Sequence, residues 1–269
     1  DESGGEARAY ILEGGYVLKT QRPHRLRPRT SLGKEELFLS ELARLGDFPV
    51  PRALGHGEAE GIEYLLLTRT PGSPVEQLDL EGGAKAGVLF ELGRTLRAIH
   101  EVDQSVLGVT EMIPGDRSPS DLRDRFAETF ERLVVALEAR PDFRDSIDVR
   151  ALGAARLACT PADTPPVALH SNPGPEHTFA DPETGLFTGI IDFGDAYRSH
   201  PALDLRPWTD LGDAAHLLAG YRSAGALPDS FGDVWRTGLV IVALARASRG
   251  MQTAEETVTA IDAALQSDG

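Results

Sequence analysis

Several residues in this chain have the types and spacing to handle a phosphorylated ligand and a divalent cation. Lys19 ends the hydrophobic run "YVLK", where a cation can reach phosphate oxygens. Glu35 precedes Phe38, Leu39 and Leu42 by three, four and seven residues, so it shares their apolar helix face. A carboxylate on that face needs a partner, because an unpaired buried charge is costly, and Lys19 is the obvious one. Glu36 is turned away by about 100°. Asp192 ends the apolar run "GII" and is followed by Phe193 and Gly194. An Asp there packs poorly but suits a hard cation such as Mg²⁺, which shares oxygen ligands with phosphates. Asp195 follows as a second carboxylate. Upstream, "ESGGE" places Ser3, Gly4 and Gly5 just before the first strand, where a Gly-rich loop would cover phosphates.

These residues need elements to hold them. The runs 7–12 ("ARAYIL") and 16–20 ("YVLKT") flank "EGG" and read as a β-hairpin. A Pro/Arg-rich loop follows, and then "GKEELFLSELARLG" is a helix ending at Gly46. "PVPRALGHG" begins a strand, "GHGEAEG" is a hairpin turn, and "IEYLLLTRT" is a buried strand. "PGSP" breaks that strand and marks a boundary between residues 1–70, rich in β-structure, and residues 71–269, rich in helix. In the second part, Leu89, Leu92, Leu96 and Ile99 lie at helical spacing, as do Leu122, Phe126, Phe130, Leu133 and Leu137. "VALH" is a short strand, and "HTFADPETGLFTGIIDFG" is a hairpin turning at "DPETG". Thr253 and Glu256 are expected to form a capping box for a last helix that carries Val258, Ile261 and Leu265.

Bulk properties narrow the partners. The 269 residues suffice for a sizeable core in one large domain or two lobes, with 41% hydrophobic and 26% charged residues. A formal charge of −15 disfavours nucleic acid and suits a cationic small molecule. No apolar run approaches the roughly 20 residues of a membrane helix, and the acidic start is not a secretory signal. Cys159, the single cysteine, fits a cytoplasmic protein and reads as a small core residue. Nothing in the sequence sets an oligomeric state. Other chemistries lack their motifs: "GHGEAEG" has the wrong spacing for a dinucleotide fingerprint, and Gly33-Lys34 lacks the rest of a phosphate-binding P-loop. His100-Glu101 has no second His at zinc-hydrolase spacing, and there is no G-x-S-x-G elbow.

Taken together, "YVLK", "PVPRALGHG", "YLLLTRTPGSP", "LHSNPGPEH", "TGIIDFGDA" and "HPALDL" resemble the aminoglycoside and macrolide phosphotransferase family, which has a protein-kinase-like fold. The resemblance runs from about Ser3 to at least Leu205. It implies an α+β, two-lobed fold with ATP or GTP and Mg²⁺ as cofactors, and transfer of the γ-phosphoryl group to an alcohol on a small-molecule antibiotic. Backbone groups of Thr68, Arg69 and Thr70 would hold the base, and Lys19 would pair with Glu35. Asp192 and His177 would hold the metal, His170 and Asn172 would stand in the catalytic loop, and Asp204 would brace it. Asp195, Asp210 and Asp213 are candidates for meeting substrate amines. The family usually has a first strand ahead of the Gly-rich loop, and the resemblance leads one to expect that this sequence lacks it.

The catalytic loop departs from the family pattern H-x-D-x-x-x-x-N at two places. His177 replaces the Asn, and some members of the family carry His there. Asn172 replaces the Asp expected to act as base. An amide keeps an acceptor oxygen but takes no proton at neutral pH. General base catalysis contributes about 10²–10⁴-fold, whereas positioning and charge stabilisation at the phosphates do most of the rest. Nucleotide and Mg²⁺ binding should therefore survive and turnover should fall, unless another group replaces the base; Glu176 lies close in sequence. Asn172 is then a deliberate substitution, a natural variant with slowed or altered chemistry, or the mark of a non-catalytic nucleotide- or metabolite-binding protein on the same scaffold.

Overall fold

The computed structural model describes residues 7–22, 24, 31–144, 146–160 and 164–267. It opens with β1 (Ala7–Leu12), β2 (Tyr16–Gln21), α1 (Ser31–Leu45), β3 (Ala53–Ala59), β4 (Ile62–Thr68) and the two-residue β5 (Ser73–Pro74). Strands β1–β4 make one antiparallel sheet in the order β1-β2-β4-β3. Lys19 sits opposite Leu65, and Val17 opposite Leu67. Cross-strand partners share a face, so Lys19 points to the side on which Leu65 and Leu67 are buried. Helix α1 covers that side with Leu32, Glu35, Phe38, Leu39 and Leu42, none more than 1% exposed. The sheet and the helix thus carry one charged residue each into a shared apolar layer. The hairpin between β3 and β4 is tighter than "GHGEAEG" suggests. β3 continues to Ala59, and only Glu60 and Gly61 turn, with φ of 53° and 75°.

Helices dominate the rest: α2 (Gly82–His100), α3 (Pro119–Glu138), α4 (Pro141–Arg144), α5 (Val149–Ala158), and, after the central strands, α6 (Leu211–Arg222), α7 (Phe231–Ser248) and α8 (Ala254–Gln266). The intervening strands are β6 (Val167–Leu169), β7 (Thr178–Ala180), β8 (Phe187–Ile190) and β9 (Tyr197–Ser199). β5, β7 and β8 form a second sheet, and β6 pairs with β9. Short 3₁₀ turns cover Val75–Gln77, Phe193–Asp195 and Pro201–Leu205. The result is an α+β fold with an antiparallel sheet in its N-terminal part and a larger helical C-terminal part.

The chain forms two compact units. One comprises Asp1–Gly115, Val167–Arg198 and Ala215–Ala224, the other Asp116–Pro166, Ser199–Ala214 and Gly225–Gly269. The first has the α1-covered sheet and the α2 stripe of Leu89, Leu92, Leu96 and Ile99, all fully buried. The second packs α3 against α5 and α7, and buries Leu122, Phe126, Phe130, Leu133 and Leu137, the stripe read from sequence. Helix α8 has the expected capping box at Thr253 and Glu256, but its buried face is Ala254, Thr257, Ile261 and Ala264. Leu265 is 39% exposed. The stripe expected from Val258 and Leu265 was chosen by side-chain size, whereas small residues make the closer fit. Cys159, expected in the core, is exposed at the C-terminal end of α5.

Candidate active site

Lys19 Nζ lies 2.8 Å from both carboxylate oxygens of Glu35 and 2.8 Å from Asp192 Oδ1. The three side chains are 12%, 1% and 42% exposed respectively. Asp192 is therefore the member open to a ligand. Its backbone has φ 72° and ψ 68°, a left-handed conformation unusual outside glycine and found where function holds strain in place. That conformation comes between the apolar strand β8 and the 3₁₀ turn Phe193–Asp195. Phe193 anchors the turn: its ring is 5.0 Å from Phe38 of α1 and 4.5 Å from His170, and its backbone N–H donates to Glu35.

The electrostatics follow from burial and pairing. Burial is the largest influence on the Lys19 ammonium and lowers its pKa, but the charges of Glu35 and Asp192 outweigh it and the net shift is upward. Burial lifts Glu35 above the ordinary carboxylate range against the pull of Lys19. For Asp192, burial again pushes upward, and the positive charge of Lys19 foremost overrides it to hold the carboxyl at about 2. Lys19 is a fixed cation and Asp192 a fixed anion across the physiological range.

The loop "HSNPGPEH" follows β6. Ser171 takes φ 84°, a second left-handed non-glycine residue in the site. His170 is fully buried. Its Nε2 donates to the Ile191 carbonyl at 2.8 Å, and its Nδ1 accepts the Asn172 N–H at 3.2 Å. His170 thus ties the loop to the residue before Asp192, which is a positioning role. His177 Nδ1 donates to the Asn172 carbonyl at 2.8 Å. That fixes the tautomer, because a carbonyl can only accept. His177 Nε2 then presents its lone pair 3.3 Å from Asp192 Oδ2. Two acceptors facing each other at this distance suit a cation between or beside them. The imidazole nitrogen and carboxylate oxygen are a donor set that divalent ions accept. Among the described residues no three His, Cys, Asp or Glu side chains gather to hold a metal unaided. An ion here would complete its shell with phosphate oxygens and water, as Mg²⁺ usually does.

The remaining expected residues separate. Thr68 N–H donates to Arg52 O at 3.0 Å and Arg69 N–H to Gly15 O at 2.8 Å, so those two donors are engaged within the protein. Thr70 is 7% exposed, and its hydroxyl is buried with no hydrogen-bond partner among the described residues. Asp195 is exposed beside the site. Asp210 Oδ1 accepts the Asp213 N–H at 3.0 Å, the geometry of a residue holding the start of α6. Asp204 is fully buried in the turn Pro201–Leu205. Ser3, Gly4 and Gly5 lie outside the described residues. Phe193 was not recognised from sequence as the packing hub, and Glu176 was placed near the base position without a direction; its Oε1 accepts the Asn172 Nδ2–H at 3.2 Å. The "DFG" run signalled the first; nothing periodic signalled the second.

Comparison with known proteins bears on the fold and the family. No curated protein matches the chain. Among solved structures, it is similar to wild-type aminoglycoside 2'-phosphotransferase-IIIa in its GDP complex, with 16% identity, a TM-score of 0.68, and coverage of 98% of this chain and 88% of that one. It is also similar to the macrolide 2'-phosphotransferase of Brachybacterium faecium, with 21% identity, a TM-score of 0.64, and coverage of 100% and 92%. A third is the streptomycin–ATP–APH(2")-IIa ternary complex, with 15% identity, a TM-score of 0.59, and coverage of 99% and 90%. At these identities the likeness is one of fold. The family model described as "Phosphotransferase enzyme family" (APH) matches residues 1–251, and the chain belongs to that family.

Proposed function

We propose that this phosphotransferase moves the γ-phosphoryl group of ATP or GTP to a hydroxyl of an aminoglycoside or macrolide antibiotic, in the cytoplasm. The observation that carries the reading is the Lys19–Glu35–Asp192 cluster, with both Lys19–carboxylate contacts at 2.8 Å. Glu35 is buried and holds the ammonium in place; the ammonium meets phosphate oxygens. Asp192 and His177 hold a divalent cation, Mg²⁺ in the first instance, which supplies charge neutralisation at the transferring phosphate. Backbone groups of Thr68–Thr70 contact the base, with the N–H groups of Thr68 and Arg69 already engaged, so the other polar groups of the segment carry that contact. In this reading residues 1–70 serve the nucleotide, and residues 71–269 carry the catalytic loop and the substrate groups. The solved relatives support the choice of ligands: one is a GDP complex and another holds streptomycin with ATP. The −15 charge favours a cationic acceptor, for which Asp195 and Asp213 are candidate contacts; Asp210 is committed to its helix start.

Asn172 favours a second reading, a protein that binds nucleotide without transfer. Both are tested together. Fluorescent ATP and GTP analogues are titrated with and without Mg²⁺, and nucleoside diphosphate release is followed with a panel of aminoglycosides and macrolides. Binding with release to at least one acceptor is expected. Binding without release, in this chain and in Asn172→Asp, leaves the second reading; no binding sinks both.

A further inference from the structure

We infer that Glu176 is the catalytic carboxylate of this chain, receiving the proton that residue 172 cannot take; the inference rests on the phosphoryl-transfer reading above. The loop is built to present this side chain. Pro173 and Pro175 fix two backbone torsions around Gly174. The Gly174 carbonyl accepts the N–H groups of His177 and Thr178 at 3.0 and 2.9 Å, and the Pro175 carbonyl accepts the Glu76 N–H at 3.2 Å. The Glu176 carboxylate then folds back over the loop. Its Oε1 accepts the Asn172 Nδ2–H at 3.2 Å and stands 3.9 Å from His177 Nδ1. Its Oε2 lies so close to Gly174 that a Cβ there would come within 2.5 Å of it. The side chain is 39% exposed, open to an incoming hydroxyl.

The pair at 172 and 176 is chemically consistent. An Asp at 172 in this rotamer would set two like-charged carboxylates about 3 Å apart, where they repel each other. The amide removes that repulsion and donates to the carboxylate instead. The carboxylate is displaced from residue 172 by one hydrogen bond and remains on the same loop, beside His177. In the step, the acceptor hydroxyl oxygen bonds to the γ-phosphorus as the bond to the β–γ bridging oxygen breaks. Nucleoside diphosphate leaves with that electron pair, and the hydroxyl proton passes to Glu176 and later to solvent.

The test uses the full chain with MgATP or MgGTP and measures diphosphate release to the antibiotic panel and to water, together with nucleotide affinity. The variants are Glu176→Gln, Gly174→Ala, Asn172→Asp, and Asn172→Asp with Glu176→Gln. Glu176→Gln should lower turnover by about 10²-fold or more with nucleotide affinity unchanged. Gly174→Ala, which displaces the carboxylate without altering it, should also lower turnover. The reciprocal double variant, with a carboxylate at 172 and an amide at 176, should recover about tenfold or more over Glu176→Gln. A purely structural role gives no such rescue. Turnover in Glu176→Gln within about twofold of the parent overturns the assignment. So does a parent chain that binds nucleotide but transfers to no acceptor, water included. A parent that binds no nucleotide refutes the phosphoryl-transfer reading itself.

Discussion

Replacing Lys19 with Met keeps most of the side chain's volume and removes its charge, leaving the Glu35 carboxylate 1% exposed among Leu32, Phe38 and Leu39. One hydrogen bond to it remains, from the Phe193 N–H. The carboxylate can stay charged and unpaired, or take a proton. The second route caps the cost. Protonating an ordinary glutamic acid costs about 3.7 kcal/mol at pH 7 and about 1 kcal/mol at pH 5. The surviving Phe193 contact trims the first figure, so Lys19→Met should destabilise the α1-covered sheet by roughly 2–4 kcal/mol at pH 7, in the range for breaking a buried pair. The sign with pH is definite. In the variant Glu35 has a raised folded-state pKa, so the penalty is absent below the unfolded value of about 4.3 and grows as pH rises above it. Adding Glu35→Gln should return at least half the loss at pH 7, since the amide needs no charge partner. Tryptophan fluorescence would miss the event, because Trp208 and Trp235 both lie in the other compact unit. Native-state hydrogen exchange of the β2 and β4 amides reports it directly. A loss under about 1 kcal/mol at pH 7, or an equal loss at pH 5 and pH 7, would refute the argument that Glu35 is a buried charge sustained by Lys19.

Asp121 accepts the N–H groups of Arg117 and Ser118 at 2.7 and 3.0 Å and the Ser118 hydroxyl at 2.8 Å, and these bonds, that of Arg117 foremost and the hydroxyl next, hold its carboxyl below the ordinary range. Its stabilising effect is present above the unfolded value of about 3.9 and lost as pH falls through the lower folded one; Asp121→Asn should therefore lower Tm at pH 7, with the gap to the parent closing as the solution is acidified below the unfolded value, and parallel curves would contradict this. A Cβ on Gly93 would fall 2.1 Å from the Leu217 carbonyl oxygen, and one on Gly220 1.9 Å from that of Phe90. Alanine at either should cost about 1–3 kcal/mol or more, whereas Gly83→Ala, with nothing within 4 Å, should be neutral or stabilising in the same thermal unfolding series.

What could be read from sequence was what periodicity controls. Glu35 announced its inward direction because Phe38, Leu39 and Leu42 define a helix face, and its partner had to be a cation. The α2 and α3 stripes were legible for the same reason. Helix α8 was misjudged because Ala254, Thr257 and Ala264 contribute little hydrophobic signal yet make the contact, while the larger Leu265 faces solvent. Cys159 was misjudged because residue type alone says little at a helix end. The catalytic loop could be located but its internal geometry could not: residues 171–176 have no repeating period. The direction of Glu176 depends on two prolines, a carbonyl accepting two N–H groups, and a distant N–H from Glu76. The pairing of β5 with β7 was hidden likewise, since residues so far apart in sequence meet only through the intervening fold.

The Lys19 contacts also impose an order on assembly. Glu35 follows Lys19 by 16 residues, whereas Asp192 follows it by 173. The longer closure costs roughly 2 kcal/mol more in chain entropy. At about 5–20 residues per second, a ribosome exposes the first carboxylate within seconds and the second only after roughly 10–35 s. The nascent sheet therefore meets its buried lysine paired on one side only. Segments Val167–Arg198 and Ala215–Ala224 belong to the same compact unit as the N-terminal sheet, so that unit is finished only after Ala224 has been made. Ligand-binding competence then arrives as a late, concerted event during synthesis, and a prematurely terminated chain presents a sheet without its site.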